Sequence, residues 1–175
     1  MGLMCGIIGI AGVKDNHKKR EAIEKGLATL SLRGPDNSGL TQSPDFIFGH
    51  KRLSIIDLKS GAQPMRDGAD TVVITFNGEI YNYRELRIQL EKKGCIFHTE
   101  SDTEVILETY HTYGYDCVNH LDGMFAFAIW DKRKRELFIA RDRFGEKPLY
   151  YAEIGEELLF ASEIKALLAT GLVKP

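Results

Sequence analysis

The cysteine near the start of the chain, Cys5, has a side chain and a position that could support nucleophilic chemistry. If Cys5 became the first residue of the mature protein, its thiol would lie beside a free α-amine. Reference pKa values are about 7.7–8.0 for an α-amine and about 8.5 for a thiol, so the amine can accept the thiol proton near neutral pH. Such a nucleophile needs no histidine as its base. The alternative is a small buried hydrophobic residue, because Cys5 begins the apolar run 5–13.

The histidines and cysteines of the chain give no sign of another catalytic or metal-binding motif. None of the five histidines forms an H-x-H or H-x-x-x-H pair, which agrees with a base supplied by the chain terminus. The three cysteines are odd in number and form no C-x-x-C pair. A disulfide framework or a thiolate zinc site is therefore not expected, and a reducing cytoplasm is the expected location.

The dipeptide Asn77-Gly78 supports two interpretations. Asn-Gly between two β runs is typical of a hairpin turn. However, only residues 79–81 separate it from a helix cap at Asn82, and this is too short for a good return strand. A strand that led through a tight turn into a helix would present the Asn77 amide and the Gly78 N–H side by side. Two such donors are what a developing oxyanion requires.

Arg52 and Asp102 are a candidate pair of binding charges. Arg52 could instead be a solvated strand residue in the basic segment 50–52, and Asp102 could be a carboxylate favoured by the dipole at the start of a helix. If both face one pocket, Arg52 could bind the carboxylate of a free amino acid in a bidentate manner, and Asp102 its ammonium.

The elements that must position these residues follow from hydrophobic periodicity and turn residues. We predict strands over 5–13, 46–49, 53–56, 71–76, 124–130, 136–142, 148–152 and 157–161. We predict helices from Asn16 to Gly34-Pro35, from Asn82 to Gly94, from Ser101 to Gly114 and over 162–169, with capping boxes at Asn82/Glu85 and Ser101/Glu104. The order lacks a regular βαβ rhythm, so we expect an α+β fold of mainly antiparallel sheets faced by helices.

Composition limits the classes of partner. The 175 residues suit one domain, and 23 basic against 25 acidic side chains give a formal net charge of −2, so neither nucleic acid nor a membrane surface is an expected partner. The longest uncharged stretch, residues 1–13, is shorter than the roughly 20 residues of a membrane helix, and it lacks the basic lead-in of a signal peptide. No phosphate-binding loop motif occurs in the sequence.

A series of motifs, in order along the chain, resembles the N-terminal glutaminase domain of glutamine-hydrolysing asparagine synthetases, which is a class II, N-terminal-nucleophile glutamine amidotransferase domain. The motifs are C-G-I-I-G at 5–9, R-G-P-D at 33–36, R-L-S-I-I-D at 52–57, N-G-E-I-Y-N at 77–82, S-D-T-E at 101–104, G-M-F-A-F-A at 123–128, R-D-R-F-G at 141–145 and A-S-E-I-K-A-L at 161–167. R-G-P-D, where sugar-phosphate amidotransferases have R-G-Y-D, favours the asparagine synthetase branch. The resemblance implies a four-layer α/β/β/α sandwich of the N-terminal-nucleophile hydrolase type.

The resemblance also implies the catalytic roles. Cys5 matches the nucleophile that attacks the side-chain amide of L-glutamine, and its α-amine would act first as base and then as acid to the leaving ammonia. Asn77 and Gly78 match the oxyanion hole. A thioester would form, and water would release glutamate.

The substrate-binding roles are carried over in the same way. Arg52 matches the residue that binds the α-carboxylate of glutamine, and Asp102, helped by Glu79, matches the partner of its α-ammonium. Leu53 and Ile55 would line the pocket through backbone contacts. No metal is implied in this domain.

Two features depart from the family pattern. Residues 1–3 are interpreted as a leader or an added extension and residues 4–175 as the glutaminase domain, and any residue ahead of Cys5 would block its amine. The S-G-G-x-D-S loop of the synthetase half is not in the sequence, so ATP and magnesium are expected only in that missing domain and no cofactor is expected here.

The expected partners are L-glutamine and a C-terminal ATP-dependent synthetase domain that makes asparagine from the released ammonia; a homodimer is left open. One alternative is a module of the same family that serves a sugar or another metabolite acceptor. The other is a non-catalytic glutamine-binding module, if the N-terminus stays blocked.

Overall fold

The structure is a computed structural model, and it describes residues 4–12, 16–53 and 61–174. Within these ranges the strands are β1 (Gly6–Ala11), β2 (Asn37–Ser43), β3 (Phe46–Arg52), β4 (Met65–Arg66), β5 (Val72–Ile80), β6 (Gly123–Asp131), β7 (Glu136–Arg141), β8 (Tyr150–Ile154) and β9 (Glu157–Ala161). The helices are α1 (Asn16–Ala28), α2 (Tyr83–Glu91), α3 (Asp102–Tyr113) and α4 (Ile164–Ala169), and a 3-10 helix (Gly114–Asn119) follows α3. No helix within the described ranges is long and apolar enough to cross a membrane.

The strands form two antiparallel sheets. The first sheet has the order β2-β3-β1-β9-β8 and the second the order β4-β5-β6-β7. Helices α1 and α4 pack on the outer face of the first sheet, and α2 and α3 on that of the second. The four-layer α/β/β/α sandwich expected from the sequence is therefore confirmed.

The space between the two sheets is filled by alternate residues of the strands. Ile7 of β1, Phe48 of β3 and Val73 of β5 belong to this inner core, whereas Ile8 contacts the α1/α4 layer and Ile74 the α2/α3 layer. Successive side chains of a strand point to opposite faces, and here both faces of each sheet are covered. The parity of a residue along its strand therefore decides whether it faces the inner core.

The predicted interruption of the strand near residues 50–52 is wrong. Residues 46–52 form the single strand β3, and both His50 and Arg52 are buried rather than solvated. The His50 ring hydrogen-bonds the Phe76 carbonyl oxygen of the second sheet at 3.0 Å, and burial lowers the pKa of His50 to about 4. This neutral histidine links the two sheets, which explains how a basic segment fits inside the sandwich. The predicted strand 53–56 lies largely outside the described residues.

The Asn77-Gly78 segment is neither a hairpin turn nor a tight turn into a helix. Strand β5 continues through both residues to Ile80, and Asn77 and Gly78 lie opposite Ala126 and Phe125 of β6. The predicted strand end at residue 76 was four residues early. Pairing with the long strand β6 outweighs the local turn preference of Asn-Gly, because the ladder satisfies backbone groups that a turn would leave exposed.

The N-cap at Ser101 is confirmed, and the cap at Asn82 is wrong. The capping box predicted for Ser101 is also wrong in its second half, because Glu104 accepts from the N–H groups of His98 and Thr99 and not from that of Ser101. The Ser101 side chain accepts a hydrogen bond from the N–H of Thr103 at 3.1 Å, as an N-cap should. The Asn82 side chain makes no capping bond. Its amide instead bonds the His120 carbonyl oxygen at 2.9 Å and the N–H of Asp122 at 3.0 Å, and so ties α2 to the start of β6.

Candidate active site

A cavity of about 160 Å³ opens where the inner core meets the start of α3. Seven of the eight residues predicted for the site line it: Cys5, Arg52, Leu53, Asn77, Gly78, Glu79 and Asp102. The eighth, Ile55, lies outside the described residues. The structure therefore brings together residues that are far apart in sequence.

Strand parity explains why three of these residues meet. Cys5 lies two residues before Ile7, Arg52 four after Phe48 and Asn77 four after Val73, and those three hydrophobic residues all belong to the inner core. Each candidate residue thus keeps the inward parity of its strand. The cavity is the polar end of the same layer that holds the two sheets together.

The thiol of Cys5 lies against the backbone of Leu53. The N–H of Leu53 donates to Sγ at 3.3 Å, and the thiol is oriented to donate to the Leu53 carbonyl oxygen at 3.6 Å. Burial raises the pKa of this thiol, while the Leu53 N–H and the Arg52 and Arg33 guanidinium groups act in the opposite direction. A buried thiol of this kind needs a base at close range to become a nucleophile.

The residues around Cys5 are held firmly. The N–H of Met4 donates to the Arg33 carbonyl oxygen at 3.1 Å, and Nε of Arg33 donates to the Cys5 carbonyl oxygen at 2.9 Å. Nη1 of Arg33 is also paired with Glu163 at 3.1 Å. Met4 itself lines the cavity. In this form the nitrogen of Cys5 is an amide, and the side chain before it occupies part of the cavity.

The edge of β5 supplies backbone donors to the cavity. Strand β4 pairs with Val73 and Ile74, and no strand among the described residues pairs with this edge of β5 beyond that point. The N–H of Phe76 donates to Oε1 of Gln63 at 2.7 Å, and the N–H of Ile80 donates to Oδ2 of Asp102 at 3.2 Å. Because alternate residues of a strand direct their N–H groups to the same edge, the N–H of Gly78 lies between these two and faces the same way.

Two donors face the cavity at this point, the N–H of Gly78 and Nδ2 of Asn77. Phe125, opposite Gly78, donates its N–H to Asp142 at 3.2 Å, so Gly78 and Phe125 do not exchange ladder bonds. The Nδ2 of Asn77, a residue only 1% exposed, has no acceptor among the described residues. Buried donors are seldom left unpaired without a reason. Side by side next to the Cys5 thiol, they are suited to receive a negatively charged oxygen.

Glycine is required at position 78 by close packing. A Cβ there would lie 2.2 Å from the Met124 carbonyl oxygen and 2.8 Å from the Phe125 Cα atom, both in β6. Neither backbone atom can move without breaking the β5–β6 ladder. Only glycine therefore lets the backbone N–H next to Asn77 take this position.

Opposite charges face the cavity from two sides. Burial raises the pKa of Asp102 to about 6; the nearby Glu79 carboxylate also raises it, and the N–H groups of Ile80 and Thr103 oppose the shift. Arg52, 8% exposed, contributes a guanidinium from β3. Two carboxylates on one side and a guanidinium on the other match the ammonium and carboxylate of a free amino acid.

Among the cavity-lining residues that sequence reasoning did not predict for the site are Gln63 and Lys147. Gln63 accepts from the Phe76 N–H and donates Nε2 to the Thr103 hydroxyl at 3.3 Å, so it joins the edge of β5 to α3. No local sequence pattern indicates that Gln63 belongs to the site. Lys147 follows the R-D-R-F-G segment by two residues, and that proximity was the available signal.

Replacing Gln63 by Leu leaves the buried Phe76 N–H without its acceptor. We expect the free energy of unfolding to fall by about 1–3 kcal/mol, the cost of an unsatisfied buried group, as measured by urea denaturation. The matched control is Gln89→Leu at an exposed position of α2, which should change stability by less than about 0.5 kcal/mol. Equal stability of the two variants would contradict a bridging role for Gln63.

Comparison with known proteins agrees with this geometry. A family model described as a glutamine amidotransferase domain matches residues 4–175. Glutamine-hydrolyzing asparagine synthetase 3 of Bacillus subtilis (strain 168) is 46% identical over 169 residues, which cover 95% of this chain and 28% of that protein. Glutamine-hydrolyzing asparagine synthetase 3 of Arabidopsis thaliana is 44% identical over 166 residues, which cover 94% of this chain and 28% of that protein.

A solved structure shares the fold. It is glutamine phosphoribosylpyrophosphate amidotransferase from B. subtilis, complexed with ADP and GMP, with a TM-score of 0.78 at 24% identity. The match covers 95% of this chain and 44% of that one. The chain therefore spans less than half of the length of that protein. It spans little more than a quarter of the length of the two synthetases.

Proposed function

The chain belongs to the glutamine amidotransferase domain family, and from this we propose that it hydrolyses the side-chain amide of L-glutamine to glutamate and ammonia. The observation that carries the proposal is the unpartnered Nδ2 of Asn77, which lines the same cavity as Gly78 and the Cys5 thiol. An acyl-transfer reaction needs a nucleophile and two donors for the developing oxyanion at one carbon atom. This cavity has both.

The charges of the cavity orient the substrate. Arg52 binds the α-carboxylate, and Asp102 with Glu79 binds the α-ammonium, so the side chain of glutamine extends toward Cys5. Leu53 contacts the sulfur through its backbone, and Ile55 is assigned by resemblance alone. Binding both ends of the amino acid fixes the amide carbon for attack.

The reaction proceeds through a thioester on Cys5. The α-amine of Cys5 accepts the thiol proton, the sulfur bonds to the amide carbon, and the carbonyl oxygen becomes an oxyanion held by Asn77 and Gly78. The protonated amine then gives its proton to the leaving nitrogen, the C–N bond breaks and ammonia departs. Water attacks the thioester, the C–S bond breaks, and glutamate leaves with the thiol restored.

This mechanism requires the chain to begin at Cys5. An amide nitrogen cannot accept a proton at neutral pH, and Met4 occupies part of the cavity. The position of Met4 favours a second candidate for the unprocessed form, a module without turnover. Mass measurement of the first residue, combined with assays of glutamate and ammonia release, separates the two candidates.

The ammonia is passed to an ATP-dependent synthetase domain, and the product is asparagine. Two observations support this: the relatives are glutamine-hydrolyzing asparagine synthetases, and the matched segment is only 28% of their length. ATP and magnesium belong to that domain, and a reducing cytoplasm is the compartment we propose. The test is to express the domain together with its own downstream sequence and to identify the product that receives the ammonia. An amidated sugar or another metabolite in place of asparagine would contradict this part of the proposal.

The affinity for glutamine should fall in acid. Asp102 has a raised pKa of about 6 in the empty cavity, and the substrate ammonium lowers it by pairing with the carboxylate. Below pH 6 a proton must leave Asp102 before glutamine binds, so KM should rise about tenfold per pH unit. KM measured between pH 4.5 and 8 tests this dependence.

The Asp102→Asn variant provides the comparison. This variant should raise KM for glutamine at pH 7.5 and remove the dependence of KM on pH near pH 6. The control Asp116→Asn, at an exposed position, should keep the dependence of KM on pH that the unaltered protein shows. A KM that does not vary across pH 6 in the unaltered protein would contradict the assignment of Asp102 to the ammonium.

A further inference from the structure

Lys147 is a buried cation without an anionic partner among the described residues. Its side chain lines the cavity and the residue is 6% exposed. Its ammonium contacts Sδ of Met4 at 3.1 Å. A thioether is a weak acceptor, and burial of an ammonium without a compensating charge is costly. Packing alone therefore does not account for a lysine at this position.

The turn that carries Lys147 is held by one carboxylate. Asp142 accepts backbone N–H groups from four residues: Phe125 at 3.2 Å, Phe144 at 3.1 Å, Glu146 at 2.9 Å and Lys147 at 3.0 Å. Nε of Arg141 also donates to the Lys147 carbonyl oxygen at 2.7 Å. The backbone of Lys147 is therefore fixed, and its side chain is directed toward the residue that precedes Cys5.

The ammonium of Lys147 lies close to the nitrogen of Cys5. Met4 and Cys5 are adjacent, with Cα atoms about 3.8 Å apart, and the ammonium touches the end of the Met4 side chain. The distance from the ammonium to the Cys5 nitrogen is therefore at most about 10 Å, the Debye length at 0.1 M ionic strength. In a chain that begins at Cys5 the Met4 thioether is absent, so the ammonium loses this contact while the new α-amine forms nearby.

Building on the proposed function, we infer that Lys147 is a positioning residue for the general base: its charge keeps the α-amine of Cys5 unprotonated at neutral pH. A nearby like charge disfavours the protonated form of an amine. The unprotonated amine is the form that accepts the thiol proton. Lys147 therefore sets the fraction of enzyme that is ready to react.

The other charged groups that face the Cys5 backbone do not replace this effect. They are Arg33 from the segment after α1, Glu163 ahead of α4, Arg52 from β3, Glu79 from β5 and Asp102 from α3. Arg33 is paired with Glu163, but Glu163 also pairs with Lys165 at 2.7 Å, so Arg33 keeps part of its charge in every variant. In the complex, Arg52, Glu79 and Asp102 are engaged by the two charged ends of glutamine. Lys147 differs from Arg33 in that it has no anionic partner among the described residues, and the variants below change the charge of Lys147 alone.

The test compares Lys147→Met, Lys147→Arg and Lys92→Met, each in a chain that begins at Cys5. Lys92→Met removes the same charge at an exposed position at the end of α2. We measure kcat between pH 5.5 and 9.5 at saturating glutamine, where the substrate holds Asp102 ionised. For Lys147→Met we expect the acid limb of the kcat–pH profile to move to higher pH by about one unit. The kcat of this variant should be about tenfold lower at the low-pH end and should equal that of the unaltered chain at high pH. Lys147→Arg and Lys92→Met should follow the unaltered profile.

A second readout does not depend on turnover. The rate at which an amine-directed acylating reagent modifies the Cys5 nitrogen, followed by mass spectrometry against pH without glutamine, reports the same protonation. Superimposable profiles for Lys147→Met and the unaltered chain would overturn the inference, as would an equal loss of kcat at every pH with a lowered melting temperature. If the unaltered chain that begins at Cys5 releases no ammonia at any pH, the proposed function fails, and the acylation profile still decides the role of Lys147.

Discussion

We expect a chain that begins at Cys5 to hydrolyse glutamine, and a chain that retains Met4 to release ammonia at least about 10²-fold more slowly. The first reason is the loss of the general base, which contributes about 10²–10⁴-fold to such reactions. The second is steric, because Met4 lines the cavity and its N–H is bound to Arg33. Burial also raises the pKa of the Cys5 thiol in this form, so little thiolate forms unaided.

The experiment uses two preparations of the same sequence whose first residues are established by mass spectrometry. Glutamate and ammonia release are measured for each, and glutamine binding is measured by calorimetry. Cys5→Ala in the processed chain should abolish turnover, whereas Cys95→Ser, at a partly exposed cysteine, should leave it unchanged. Full-rate hydrolysis by the chain that keeps Met4 would show that the proton goes to a different base.

Replacing Asn77 by Ala should lower kcat by about 10²–10³-fold with little change in KM, which is the effect of removing one oxyanion donor. The side chain has no contact to the charged ends of glutamine in the proposed complex, so binding of the ground state is largely retained. Its Nδ2 has no partner among the described residues. Removal of Nδ2 therefore breaks no hydrogen bond of that atom among the described residues, and we expect no loss of stability from that atom.

Steady-state kinetics and thermal denaturation of the same preparation give the two readouts. Asn119→Ala is the control, because this asparagine is exposed and bonds only Asp116 among the described residues. A drop in melting temperature with unchanged kcat would assign Asn77 to folding. A lower kcat with unchanged melting temperature would support its action on the transition state.

The shortness of β4 makes this donor pair available. A longer strand would pair with the edge of β5 beyond Ile74 and occupy the N–H groups of Phe76, Gly78 and Ile80. Instead, side-chain acceptors from Gln63 and Asp102 take the first and the last of the three. The middle donor is left facing the cavity, next to the amide of Asn77.

Local patterns in the sequence were sufficient for much of this description. The Ser101 cap, the helix that ends at Gly114 and the apolar runs of β1, β6 and β9 depend on interactions within a few residues, so they were read correctly. The family motifs led to Cys5, Arg52, Asn77, Gly78, Glu79 and Asp102, and the fold that they imply is the one observed. The roles of these residues stay predictions.

Tertiary structure alone decided how the residues meet. The Cys5 thiol hydrogen-bonds the backbone of Leu53, 48 residues away. The Asn77-Gly78 segment is part of a strand because β6 pairs with it. Strand β2 forms from a polar segment because it pairs with β3. Gln63 and Lys147 reach the cavity through contacts with distant segments. Such contacts depend on which strands pair and on which face a side chain points, and neither is specified by residues adjacent in the chain.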